Sequence, residues 1–467
     1  MVRKFMYLRN GLIFLSMLFS FSLLNCEEKA TKELEVQRDL ADILADGKLV
    51  AVTDYNATSY FIYKGEPMGY QYDMLRDLAT YLGVKLEIVT ENDIDKSFEM
   101  LRKGEVDIIA SSLAITAQRK EEVDFTLPHG ETSQVLVQRV PANNSDPAVQ
   151  KPLQLSGKLV YVQKSSAGAQ RLKNLSDEIG GGITIVELPN YDADKLIELV
   201  ATGEIDFAVC DQSVALVNSN SYQNINIDVQ IGFPQKTAWA IRKTSVELRP
   251  KVDAWLDGYL KTAHYRNIEN KYFSQERFIR RASSDYFFIY TGKISPWDEY
   301  FKKYSKGIDW DWRLLASLVY QESRFRHNVR SHRGASGLMQ FMPQTAEFFG
   351  IDSTADPVKQ IEAGVRYIKW LEDRFANYDI PTDEMIKFVL ASYNAGIGHI
   401  IDARKLAQKH GRNPNVWDNN VEYFIRNKSQ FAYDPVVRHG RLKGVETTNY
   451  VKEIMERYQH YKNIIGE

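Results

Sequence analysis

The sequence predicts a multidomain chain, a bilobed α/β domain followed by a mainly α domain. Three observations carry that expectation. The 467 residues exceed what one ordinary core organises. Between residue 49 and about residue 273, short β-rich runs alternate with amphipathic segments, the pattern of layered α/β folds with parallel strands. From Trp297 onward the apolar periodicity turns helical.

The amino terminus carries Arg3, Lys4 and Arg9, then an apolar run over 12–24. That run is too short to span a bilayer comfortably and suits the core of a signal peptide. It ends in Leu23, Leu24, Asn25, Cys26, which resembles a bacterial lipobox, although Asn25 replaces the usual small residue. The resemblance implies a signal peptide over 1–25, a lipidated Cys26, and an anchor and linker over 26–46. The protein is then an exported lipoprotein facing the periplasm, expected at the outer membrane. A plain signal peptide and an uncleaved anchor are the alternatives. With Cys26 modified, Cys210 is the remaining thiol and no intramolecular disulfide forms. Lys plus Arg number 59 against 61 Asp plus Glu, so the chain lacks a polybasic footprint and a nucleic-acid partner is not expected.

In the α/β region, 49–52, 86–89 and 106–110 read as strands and 72–82 and 95–102 as helices. A weak internal repeat marks two similar lobes: Gly104, Glu105, Val106, Asp107 recurs as Gly203, Glu204, Ile205, Asp206. In each copy a helix ends at the glycine, which suits a left-handed C-cap, and a strand follows. The polar stretch 141–147 lies between the copies and reads as a loop near the crossover of the lobes. Residues 65–73 (GEPMGYQYD), 116–119 (TAQR) and 123–125 (VDF) resemble the periplasmic amino-acid-binding proteins of solute-binding family 3. The likeness covers 47–275 and implies a periplasmic-binding-protein-like fold. It makes Arg119 the clamp for a ligand α-carboxylate, in keeping with bidentate guanidinium geometry. Asp211 would take the ligand amino group, with Thr116, Ser165 and Ser166 beside them. An amino acid or muropeptide effector is the expected ligand.

After a linker over 276–293, the mainly α domain is expected to run from 294 to 467. The segment 309–322 opens on Asp residues suited to N-capping and continues with helical spacing, with Leu315, Leu318 and Val319 as its buried stripe. Glu322 stands four residues after Leu318 and three after Val319, so it extends the apolar stripe. Desolvation there raises a carboxyl pKa and lets the acid stay protonated near neutrality. Three blocks follow in order: Glu322 and Ser323; Gly337, Leu338, Met339, Gln340; and Tyr393, Asn394, Ala395, Gly396. They resemble the soluble lytic transglycosylase family, with its lysozyme-like fold.

That resemblance implies peptidoglycan glycan strands as substrate and Glu322 as the catalytic acid and base. It also implies that Gln340, Tyr393 and Asn394 line the sugar cleft, with Ser336 facing substrate and Tyr450 positioning the carboxylate. No cofactor or metal is expected. Such enzymes cut the β-1,4 bond between N-acetylmuramic acid and N-acetylglucosamine, and the muramyl C6 hydroxyl closes a 1,6-anhydro ring. A glycosidase ordinarily needs two carboxylates. A water-using muramidase with Asp309, Asp311, Asp352 or Asp356 as the second therefore stays open, as does a peptidoglycan sensor that binds without cutting.

Overall fold

A computed structural model describes residues 36–465 apart from 141–147, 190, 275–292 and 352–354. Cys26, the 1–25 segment, the polar 141–147 stretch, Asp352 and nearly all of the expected 276–293 linker lie outside the described residues. Among the described residues, no helix is long and apolar enough to cross a membrane.

The chain is ordered into the first lobe before residue 47. Helix α1 (Leu40–Asp46) buries Ile43, and Arg38 Nε meets Asp107 Oδ1 at 2.8 Å. The segment expected to be an anchor and linker over 26–46 is thus, from residue 36, part of this lobe. Strand β1 (Lys48–Thr53) leads to the hairpin β2 (Phe61–Tyr63) and β3 (Glu66–Met68) and to α2 (Tyr70–Leu82). Then come β4 (Lys85–Thr90), α3 (Ile94–Lys103), β5 (Ile108–Ala114), α4 (Ala117–Glu122), β6 (Val123–Phe125) and β7 (Gly130–Thr132).

The second lobe comprises β8 (Gln134–Arg139), β9 (Leu159–Gln163), α5 (Ala167–Glu178), β10 (Thr184–Leu188), α6 (Ala193–Thr202), β11 (Phe207–Asp211), α7 (Gln212–Ser219) and β12 (Ile225–Asn226). Strand β13 (Gln235–Arg242) then returns to the first lobe. The first sheet has the order β4-β1-β5-β13-β6, and the second β10-β9-β11-β8-β12. Helices α3 and α6 both end at the repeated glycines, Gly104 at φ 76° and Gly203 at φ 89°, as their left-handed C-caps.

One expectation needs correction. The sheets are mixed, because β1 pairs in parallel with β4 and β5 while β13 and β8 pair antiparallel. Those two are the strands by which the chain changes lobes, so they enter against the direction set by the β-α-β units. The first crossover falls at Ser133, between β7 of one sheet and β8 of the other.

After α8 (Leu248–Tyr259) and α9 (Ala263–Phe273), the mainly α domain contains α10 (Asp298–Tyr304), α11 (Trp312–Ser323), α12 (Pro343–Phe348), α13 (Pro357–Phe375), α14 (Thr382–Ala395), α15 (Ile397–Lys409), α16 (Glu422–Arg426) and α17 (Gly444–Ile464). Helix α11 lies at its centre. Leu315, Leu318 and Val319 are fully buried, as expected, among Phe301, Phe325, Phe375, Phe388 and Ile454. Each such side chain contributes about 1.5–3 kcal/mol by leaving water.

The two regions pack on one another through the β2–β3 hairpin and α17. Ile62 enters the core of the α domain. Gly65, at φ 80°, turns so close to α11 that a Cβ would lie 2.2 Å from the Tyr320 ring. Tyr461 donates to the Gly65 carbonyl at 2.8 Å, and Tyr60 shares a 2.6 Å hydrogen bond with His460 Nδ1. Arg457 reaches both Glu66 at 3.5 Å and Gln321 at 2.9 Å, which ties the hairpin to the residue before Glu322.

Candidate active site

Helix α11 begins with Asp311, whose carboxylate accepts the Arg313 N–H at 2.9 Å, and it ends at Arg324 in the left-handed region, φ 52°. Glu322 therefore sits in the last turn, where the helix gives way to a loop but the carboxylate still follows the buried stripe. Ser323 turns inward and donates to the Val319 carbonyl at 3.1 Å, while the Glu322 carboxyl turns toward α17.

The Tyr450 phenol on α17 donates to Glu322 Oε1. Burial pushes the Glu322 carboxyl up to about 7, and the bond from Tyr450 opposes that rise only in part. No other charged group among the described residues contributes to the shift. Tyr367 and Tyr393 lie close enough to feel the Glu322 charge, and burial raises both phenols. Their rings are 4.9 Å apart, giving the acid an aromatic wall.

The other two blocks are locked to this wall. Tyr393, near the end of α14, donates its hydroxyl to the Met339 carbonyl at 2.8 Å. Gln340 occupies the left-handed region at φ 46°, and its amide donates to the carbonyls of Gly337 at 2.9 Å and Val329 at 3.2 Å. Ser336 is partly buried and its backbone pairs with Phe341, which closes the same turn. Asn394 accepts a 2.8 Å hydrogen bond from Thr447, one turn before Tyr450 on α17. Glu322 and Tyr450 are thus in direct contact. Tyr393 and Gln340 join through the 337–340 turn, and Asn394 joins through Thr447.

Of the carboxylates considered as a second acid, Asp309, Asp311 and Asp356 are described, each at a helix end. Asp311 is engaged by Arg313 at the opposite end of α11, about 16 Å from Glu322 at 1.5 Å per residue. Asp309 precedes it, and Asp356 caps α13 by accepting from Val358 at 2.7 Å.

A second cleft lies between the lobes of the α/β domain. Arg119 donates to the Ala114 carbonyl of its own lobe and to the Ser165 carbonyl of the other, each at 3.1 Å. Thr116 caps α4 by accepting the Arg119 N–H at 3.2 Å, and Ser166 caps α5 by accepting from Ala169 at 3.1 Å. Ser165 stands before that cap at φ 58°. Asp211 accepts from Gln134; burial pushes its carboxyl up to about 6, with Gln134 and the Arg119 charge opposing. Asp54 also lines the cleft, raised by burial to about 7. Arg119, Ser166 and Asp211 line this cleft together, while Thr116 and Ser165 line an adjoining one that Arg119 and Ser166 also border; Arg119 and Asp211 each bond other partners.

The sequence matches the bacterial extracellular solute-binding proteins, family 3, over residues 48–275, and the transglycosylase SLT domain over 299–416. A membrane-bound lytic murein transglycosylase F from Desulfosudis oleivorans is 33% identical over 91% of this chain and 92% of its own length. The chain belongs to the membrane-bound lytic murein transglycosylase F family. A member of that family from Aeromonas salmonicida is 29% identical over 96% of this chain and 88% of its own length. A solved mutant ArgBP from T. maritima aligns with 50% of this chain and 99% of its own, at 24% identity and a TM-score of 0.46.

As a member of the lytic murein transglycosylase F family, the chain is an enzyme with a solute-binding-like α/β domain ahead of a lysozyme-like helical one. Three features of this family member escaped sequence reading. Tyr367 belongs to the aromatic wall, but its position on α13 reads as ordinary helical core. Thr447, which donates to Asn394, lies on α17 with no local pattern that marks it. The Glu66–Arg457–Gln321 link joins residues hundreds of positions apart, for which a single sequence carries no local signal.

Proposed function

We propose that Glu322 cleaves the β-1,4 bond between N-acetylmuramic acid and N-acetylglucosamine by acting first as acid and then as base. The protonated carboxyl gives its proton to the glycosidic oxygen as the bond to C1 breaks. The substrate N-acetyl oxygen stabilises the oxocarbenium-like charge at C1. The Glu322 carboxylate then takes the proton of the muramyl C6 hydroxyl, and O6 bonds C1 to close the 1,6-anhydro ring. Tyr450 orients the carboxylate through its phenol, while Gln340, Tyr393, Asn394 and Ser336 line the sugar cleft.

The observation that carries this reading is the Glu322 carboxyl raised to about 7 in a pocket that no second carboxylate perturbs. Such a group is partly protonated at neutrality and serves both steps, with the substrate hydroxyl in place of water. Mass analysis of the muropeptides released from purified sacculi tests it. Anhydro ends are expected from the wild-type chain, with a loss of at least about a thousandfold in Glu322→Gln. Reducing ends would establish a muramidase instead, and equal release by the variant would remove Glu322 from the chemistry.

The interlobe cleft supports a second role, binding of an amino acid or muropeptide effector by Arg119, Asp211, Thr116, Ser165 and Ser166. Hinge closure of the lobes then reaches α11 through the hairpin contacts at Gly65 and Glu66. The proposed units are 47–275 for the binding domain and 294–467 for the catalytic domain, with 276–293 linking them. Export through a signal peptide over 1–25 and lipidation of Cys26 at the outer membrane complete the reading. Globomycin treatment, which leaves an uncleaved lipoprotein precursor, tests that last point by a gel shift.

A further inference from the structure

The loop between α16 and α17 carries a run of positive charge close to the residues around Glu322. Arg438, Arg441 and Lys443 are all exposed, no acidic residue lies between Pro435 and Gly444, and Glu446 on the first turn of α17 is the next acid. The nearest acid on the amino-terminal side, Asp434, is taken by Lys409 at 2.6 Å. Arg441 turns to the Tyr433 hydroxyl at 3.1 Å, a neutral partner.

This loop is built to hold its shape. Asp402, with no solvent exposure, accepts the backbone N–H groups of Arg438 at 3.1 Å and His439 at 2.8 Å, and the His439 ring at 3.1 Å. Lys428, equally buried, completes the set at 2.8 Å. The His439 ring covers Gly398 in the first turn of α15 so closely that a Cβ there would lie 2.4 Å from it. Gly398 follows Asn394 by four residues, and the loop's other end enters α17 three residues before Thr447, the partner of Asn394. The positive run is therefore continuous with the residues that frame Glu322.

We infer that Arg438, Arg441 and Lys443 bind the carboxylates of the peptides attached to the muramyl residues, so that the enzyme prefers strands whose peptides carry free carboxylates. Charge complementarity favours this occupant. Where a peptide is attached, the muramyl lactyl carboxyl is held as an amide and the sugar backbone is neutral, so the carboxylates flanking the strand are those of the peptide. A pinned loop presents its cations without the ordering cost a mobile loop would incur.

This inference rests on the proposed use of the cleft for glycan, and a binding measurement separates the two. Co-sedimentation of full-length Glu322→Gln protein is measured with intact sacculi and with the same sacculi after carbodiimide and ammonia have converted their peptide carboxylates to neutral amides. Exposed ion pairs are individually weak, so the three together give a roughly three- to tenfold preference for the carboxylate-bearing form. Adding Arg438→Gln, Arg441→Gln and Lys443→Gln should bring the ratio of the two dissociation constants close to one. The Arg438→Lys, Arg441→Lys pair should keep the preference. Raising NaCl to about 0.5 M should erase it without any change to the loop, because exposed charges are screened. Equal binding to both materials by the unaltered loop, or a preference that survives high salt, would overturn the inference. Neither result would touch the cleavage reading, which rests on product analysis.

Discussion

Two carboxylates withdrawn from water lie in the same helical domain and meet opposite fates. Asp402 receives Lys428 Nζ, two backbone N–H groups and the His439 ring. Burial pushes its carboxyl up, but these hydrogen bonds outweigh it and bring the pKa down to about 2. Glu322 receives one phenol, and burial prevails, raising it to about 7. The number and charge of the donors, rather than burial itself, decide whether a carboxylate is a fixed anion that shapes a loop or an acid able to give up a proton at neutral pH.

The largest effect that sharpens this contrast is expected at Asp402. Asp402→Ala strands the Lys428 ammonium in the interior and should cost about 3–5 kcal/mol of stability. Urea unfolding of the full chain, followed by tryptophan fluorescence, measures it. The pH dependence has a defined sign. The folded pKa of Asp402 lies below its unfolded value, so its contribution is present above about pH 4 and is lost as pH falls through about 2. The stability gap between wild type and variant should narrow over that window. A gap that stays constant there would show that the donors are not what holds Asp402 ionised.

A smaller effect is expected at Tyr450. Tyr450→Phe removes a bond that stabilises the Glu322 carboxylate, so the Glu322 pKa should rise further and the alkaline fall in kcat/KM should move to higher pH. Loss of positioning should lower kcat roughly tenfold, the scale of one hydrogen bond to a charged group. A profile that keeps its wild-type position would deny the phenol any hold on the carboxylate.

The comparison also explains what was legible beforehand. Glu322 was readable because a helix has a fixed period: its place after Leu318 and Val319 predicts burial, and burial predicts a raised pKa. The two-lobe plan was readable for a similar local reason, since Gly104 and Gly203 end their helices in a conformation that favours glycine. The donors to Asp402 were not, because Lys428, Arg438 and His439 arrive from later segments with no periodicity relating them to α15. Nor was the direction of β8 and β13, which depends on where the chain changes lobes and not on side-chain alternation. The docking of the hairpin on α11 and α17 likewise follows from shape and contact, as at Gly65 beneath Tyr320, and leaves no mark in the local sequence.

The central claim is that Glu322 holds its proton near neutral pH for want of charged donors. It is tested most directly by carbon-13 NMR titration of glutamate-labelled protein, with the Glu322→Gln spectrum identifying the resonance. The account predicts a midpoint near 7. A midpoint at the ordinary glutamate value of about 4.3 would contradict it.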